Sequence, residues 1–424
     1  MDRETKKLNV LIHGIGTISY AICREIKKSP LFGNVYYISN RINPYMDAIH
    51  IGRDKDIKLC VLREIIKEKK IDFVICFNEI YSKKGLIDYY QNEINIPIIG
   101  CKKEFFTLES SKMHGKRFMK LEGIKTPEFN EICDIKDLDV ALEKFGLPIV
   151  IKNNNLQGGF GVHICNTQKE CKDIAKKLLR EYKYCIAEEY VEGFEITQQY
   201  ICCGNKFIPL KPVKDIKKIK LGNNYINTGG LASYTPITLT KEQEIQLDEY
   251  NKKIINIFSK KDIDFSSILA FNLMFTKDGI QTLEFNMRPG ITEFETTIEN
   301  LDCDLLEILW KIVNNNLKIE DIKYKDTKTA CLVIAHKDYV KQKRGTNKKK
   351  IEINKLKINE QNDLSINYSV TQINDKKYVE ISKNHRFLSI LYSNKENPFQ
   401  EIYKYLKKLD TKNLLFLKDV EIPK

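Results

Sequence analysis

Residues 268–288 read ILAFNLMFTKDGIQTLEFNMR, two apolar runs joined across Asp278-Gly279. An Asp-Gly pair between strand-like runs is a strong signal for a β-hairpin. Residues two apart on a strand share a face, so Glu284 and Asn286 point one way and Phe285 points into a core. Two oxygen-bearing side chains on one face, with Arg288 two residues on, suit a Mg²⁺ ion that bridges nucleotide phosphates. Such an ion takes few protein carboxylates and fills its shell with water and phosphate oxygens. The plainer reading is an exposed strand edge, which the flanking apolar residues disfavour.

Upstream of this hairpin, PIVIK (148–152) reads as a strand that delivers Lys152 to a glycine loop, NNNLQGGFG. Gly158, Gly159 and Gly161 would let backbone N–H groups fold over a polyphosphate while Lys152 supplies charge. A simple hairpin tip explains the same residues. CIAEEYV (185–191) is another strand, ending in Glu188, Glu189, Tyr190 and Val191, with Gly193 and Glu195 beyond. Its backbone can read an adenine edge and a carboxylate can accept from ribose; a solvated acidic strand end is the competing reading. TQQYICCGNKFIPLKPV predicts a hairpin turning at Gly204-Asn205. Helices are predicted over 111–122, DLDVALEKFG, EIQLDEYNKKIINIFSKK and 301–313.

Toward the N-terminus, LNVLIH (8–13), NVYYIS, DFVICF and IPIIG alternate with helical stretches, the pattern of a parallel sheet covered on both faces. Gly14 and Gly16 mark the first strand-to-helix turn. They fit either a tight turn or an anion site at a helix N-terminus. Ser19 stands where a dinucleotide fingerprint has its third glycine, and the second strand ends Ser39-Asn40-Arg41 with no acidic residue to hold a ribose. Both points weigh against a nicotinamide oxidoreductase. His13 beside this turn reads as either a packed core residue or a ligand contact. Beyond about residue 325 come short strands, a basic loop and a last helix near 398–408.

The chain has 424 residues, 42% hydrophobic, enough for several cores. No run of ~18 apolar residues is present and the N-terminus lacks a signal-peptide pattern, so a cytoplasmic protein without membrane contact is expected. Twelve cysteines without a C-x-x-C pair imply reduced, mostly buried thiols. The net charge of +13 favours anionic ligands. The densest basic run, KQKRGTNKKK at 341–350, has no interleaved aromatics and reads as a solvated loop rather than a nucleic-acid patch. A non-catalytic nucleotide or nucleic-acid binder stays as a third class. The six histidines show no metal-ligand spacing.

These pieces follow the order seen in ATP-grasp enzymes, and the chain resembles the phosphoribosylamine–glycine ligase family. The resemblance rests on LESSKMHGKRFMKLEGIKTPEF, PIVIKNNNLQGGFGV, IAEEYVEGFEIT, NTGGLASYTP (227–236) and TLEFNMR, and extends to ACLVIAH and NHRFLSILYS near the C-terminus. NTGG-x-x-x-Y-x-P, which resembles the family's substrate loop, is its most specific part. It implies a multidomain α/β and α+β fold: a Rossmann-like domain at 1–105, an ATP-grasp domain at 106–325 with a small lobe about 125–190, and a mixed β/α domain at 326–424.

The resemblance further implies that a carboxylate is activated by ATP as an acyl-phosphate and captured by an amine. Mg²⁺, or Mn²⁺ in its place, would sit on Glu284 and Asn286. Lys112, Lys152 and the glycine loop would hold phosphates, Glu188 to Val191 adenine, and Glu195 ribose. Arg288 and Lys152 would be catalytic. Gly14, Gly16, Asp215, Asn227, Thr228, Gly229, Gly230, Arg288 and Gly290 would meet the substrates, an amino acid or other carboxylate and a phosphoribosylamine-like amine, in a monomer or homodimer. The chain departs from the family in three places. Gly14-Ile15-Gly16-Thr17-Ile18-Ser19 replaces N-G-G-R-E-H, Phe160 replaces a lysine, and Pro289-Gly290-Ile291-Thr292-Glu293 replaces F-G-D-P-E. A paralogue acting on another amine or amino acid is therefore a further expectation.

Overall fold

The computed structural model describes residues 6–53, 58–155, 161–221, 224–341, 348–352, 364–372, 378–382, 386–408, 411 and 413–423. The predicted parallel strands are present. Leu8–His13 lies between Phe32–Ile38 and Phe73–Ile75, with Ile49–Gly52 and Ile98–Ile99 outside them, all parallel. This sheet does not end there. Ile99 pairs with Ser266, and the strand Ser266–Thr276 carries the sheet onward, antiparallel, to Phe194–Cys203 and Gly279–Asn286. The N-terminal sheet and the hairpin quoted first are thus one structure, and Val10, Ile12, Ile268, Leu306 and Leu309 share a core.

The hairpin turns at Asp278-Gly279 as expected, with Gly279 at φ +99°. Phe285 points into the core, 4.4 Å from the Phe271 ring centroid and edge-on to Phe258. Truncating such a ring costs about 3–5 kcal/mol, so the core fixes which way Glu284 and Asn286 face.

A second sheet forms the small lobe, with strand order Phe129–Ile132, Cys185–Glu189, Ile149–Asn153, Val162–Cys165. Helices Ile135–Phe145 and Gln168–Tyr182 cover it, each opened by a capping box on Asp134 or Thr167. The third sheet runs Lys214–Leu221, Asn224–Thr235, Lys328–His336, Arg386–Asn394, Ser365–Tyr368. Here the structure corrects one expectation: NTGG is not a free loop but part of strand Asn224–Thr235. The register slips between the pairs Ile216–Ala232 and Lys218–Asn227, so the stretch from Thr228 to Leu231 bulges from the ladder, with Gly230 at φ +94°. The last helix is Pro398–Leu406. Residues 342–347 of the basic run lie outside the described residues. The cysteines are free and mostly buried. Among the described residues no helix is long and apolar enough to cross a membrane.

Candidate active site

The small lobe faces the hairpin across a cleft of about 610 Å³. In the small sheet Val150 stands opposite Glu188, and Lys152, two residues on, shares that face. Lys152 Nζ lies 2.7 Å from Glu188 Oε2. Lys116 Nζ reaches the same oxygen at 3.0 Å and donates to Thr126 Oγ1 at 2.7 Å. Lys116 comes from the helix Lys112–Leu121, capped by Ser111, one turn beyond Lys112. Burial would raise the Glu188 carboxyl, but the two ammonium groups outweigh it and hold it below the usual range. Burial pushes Lys116 down to about 8, with Lys152 adding to the shift and Glu188 opposing it.

Across the cleft, Lys112 Nζ is 3.4 Å from Glu284 Oε2, and Asn272 Nδ2 donates to Glu284 Oε1 at 2.8 Å. Asn272 is the cross-strand partner of Glu284. Burial would raise Glu284, yet Lys112, Lys217 and Lys152 bring its carboxyl down to about 2. It is therefore an anion at any working pH, suited to a cation.

At the far end Asp215 and Glu293 lie together. Thr292 Oγ1 contacts Asp215 Oδ1 at 3.4 Å and Glu293 Oε2 at 3.0 Å, and Thr197 Oγ1 donates to Glu293 Oε1 at 3.3 Å. Burial first, then the Glu293 charge, pushes the Asp215 carboxyl well above its usual range. Lys217 stands 2.7 Å from Glu195 and 3.8 Å from Asp215. Gly230 leaves the room this needs: a Cβ there would meet Asp215 Oδ1 at 2.8 Å. Arg386, at the start of the strand Arg386–Asn394 in the same sheet, donates to the carbonyls of Gly229 and Gly230 and holds the bulge in place. Arg288 is gripped by Glu79 and Glu109. Burial pushes Glu109 up to about 7, Arg288 pulling the other way and Glu79 adding to the rise.

Lys112, Lys152, Glu188, Glu189, Tyr190, Val191, Glu195, Asp215, Asn227, Thr228, Gly229, Glu284, Asn286, Arg288 and Gly290 all line this one cleft. The Glu188 carboxylate is turned inward onto two lysines, and Glu195 is bound by Lys217. Gly14, Gly16, Gly161 and Gly230 are not among the lining residues, and Gly158 and Gly159 lie outside the described residues. Gly16 opens the helix Thr17–Ile26, and His13 bonds the Tyr90 hydroxyl at 2.6 Å beside a separate cavity of about 250 Å³. Sequence reasoning missed Glu79, Glu109, Lys116, Lys217, Asn272, Glu293 and Arg386. The i,i+4 spacing of Lys112 and Lys116 was the one signal that could have flagged a member of this set.

The chain is similar to known proteins in sequence and in fold. Residues 110–294 match the family model described as phosphoribosylglycinamide synthetase, ATP-grasp (A) domain. The chain is 29% identical to the phosphoribosylamine–glycine ligase of Fusobacterium nucleatum, covering 97% of this chain and 98% of that protein. It is 30% identical to the enzyme of the same name from Clostridium acetobutylicum, covering 66% of this chain and 69% of that protein. The crystal structure of phosphoribosylamine–glycine ligase from Thermotoga maritima superposes with a TM-score of 0.73 at 21% identity, covering 98% of both chains. The chain belongs to the phosphoribosylamine–glycine ligase family and is an ATP-dependent carbon–nitrogen ligase of the ATP-grasp type.

Proposed function

We propose that the protein joins the carboxylate of glycine to the amine of phosphoribosylamine, the pair named by its relatives. The observation that carries this reading is the convergence on one cleft of Lys112 and Lys152, Glu284 and Asn286, Arg288, and the Thr228–Gly229 bulge. A glycine oxygen attacks the γ-phosphorus of ATP, the bond to the β,γ-bridging oxygen breaks, and ADP leaves. The amine nitrogen then attacks the acyl carbon. The bond from that carbon to the phosphoryl-bearing oxygen breaks, phosphate departs, and the nitrogen loses a proton.

The chain's own residues mainly place reactants and balance charge. Lys112 and Lys152 bind phosphate oxygens, Arg288 orients the carboxylate, and the Asp215–Glu293 pair meets the amine and holds its proton. Glu284 and Asn286 fit Mg²⁺, with Mn²⁺ as the alternative: one ionised carboxylate and one carboxamide, both hard oxygen donors, face the lysines. Such an ion would neutralise charge on the transferring phosphoryl group.

Ligation of a different amino acid is favoured by one observation. Ile291 lines the cleft where the family pattern has an aspartate. An ADP-release screen of amino acids crossed with amines separates the two readings. Release with glycine and phosphoribosylamine alone supports the first, and release with another pair alone supports the second.

A further inference from the structure

Arg288 leaves the hairpin toward the first sheet, where two carboxylates meet it on unequal terms. Glu109 is fixed. It is 4% exposed, one oxygen accepts the Met287 N–H at 2.6 Å, and the other lies 3.2 Å from Arg288 Nε. Among the described residues, Arg288 is the one partner of the Glu79 side chain. Glu79 is the first residue of the short helix Glu79–Lys84, its side chain is 35% exposed, and it touches Arg288 through one oxygen, 2.7 Å from Nε and 2.6 Å from a terminal nitrogen. The remaining terminal nitrogen donates to the Pro289 carbonyl at 3.1 Å.

The Nε edge of a guanidinium is a fork that matches both oxygens of a carboxylate. Glu79 covers that fork with a single oxygen, inside the cleft that Gly290 and Glu293 also line. With two carboxylates already on one cation, a third can dock only where one leaves, and Glu79 is the one free to swing into solvent. Resting on the ligase reading above, we propose that Glu79 is a placeholder that sets affinity for the carboxylate substrate. It occupies the Nε edge of Arg288 until the substrate's carboxylate displaces it. While it stays, Arg288 remains neutralised and does not draw the γ-phosphoryl group toward water.

The test uses the full-length protein with a non-hydrolysable ATP analogue and Mg²⁺. Binding of [1-¹³C]glycine is followed by NMR for the wild type, Glu79→Gln and Glu79→Ala. Removing the competing charge is expected to tighten glycine binding by about fivefold or more in both variants. With ATP present, ADP release without any carboxylate is expected to rise. Equal or weaker glycine binding in the variants overturns the placeholder role and leaves the ligase reading intact. Absence of glycine binding in all three proteins overturns both the glycine assignment and this inference.

Discussion

Lys152 and Glu188 meet at 2.7 Å in the buried wall of the cleft, and Lys116 closes on the same carboxylate oxygen at 3.0 Å. One buried anion thus holds two cations, and that anion fixes where the Lys152 ammonium can stand. Glu188→Gln would leave two buried ammonium groups without a counter-ion. Breaking a buried pair in this way costs roughly 3–5 kcal/mol, which urea unfolding measures. The sign with pH follows from the depressed carboxyl of Glu188. Its contribution is full above the unfolded value near 4.5 and is lost as pH falls through the lower folded value. The gap between wild type and Glu188→Gln should therefore shrink in acid.

Glu109 behaves oppositely. Its folded value of about 7 lies above the ordinary 4.5, so between those two the folded chain binds the proton more tightly than the unfolded chain. Stability from this group is full below about pH 4.5 and falls as pH rises through about 7. Glu109→Gln, which mimics the protonated form, should gain on the wild type by about 3 kcal/mol across that window. Denaturant unfolding at several pH values checks it.

Gly230→Ala strikes the bulge that shapes the acceptor end. The φ of +94° disfavours any side chain, and the new Cβ would sit 2.8 Å from Asp215 Oδ1. We expect a loss of about 1–3 kcal/mol in stability and a rise in KM for the amine that exceeds the rise for ATP. Initial rates with each substrate varied in turn read this out.

Glu284→Ala and Lys152→Ala remove the anion and the cation on opposite walls of the cleft. Each should lower amine-dependent ADP release by at least about 10²-fold, the scale of losing one charge-stabilising group. Wild-type turnover in either variant would count against the assigned roles.

Much of this was legible in the sequence, for a physical reason. Asp278-Gly279 and the alternation around Phe285 are local signals, so the hairpin and the shared face of Glu284 and Asn286 could be read directly. Lys152 was legible because an apolar strand delivers it to glycines. Lys116 and Glu109 were not, because each sits on a helix face whose burial depends on partners far along the chain, Glu188 and Met287. Arg386 was invisible for the same reason: it acts on Gly229 and Gly230 from a strand of the same sheet that lies far along the chain. Glu188 was placed on the right strand, yet its inward turn is decided by the opposing Lys152 and Lys116. NTGG was expected as a loop from the family resemblance alone, and its glycines do not separate a loop from a bulged strand.

Oxygen-18 transfer from glycine to phosphate reports whether the carboxylate is activated by phosphoryl transfer. The protein is supplied with ATP, Mg²⁺, phosphoribosylamine and glycine labelled with ¹⁸O in both carboxylate oxygens, and the released phosphate is analysed by mass. If Lys152, Arg288 and the Glu284–Asn286 pair bring the carboxylate to the γ-phosphorus, each phosphate formed with amide product carries one ¹⁸O from glycine. Amide product accompanied by unlabelled phosphate would contradict the account.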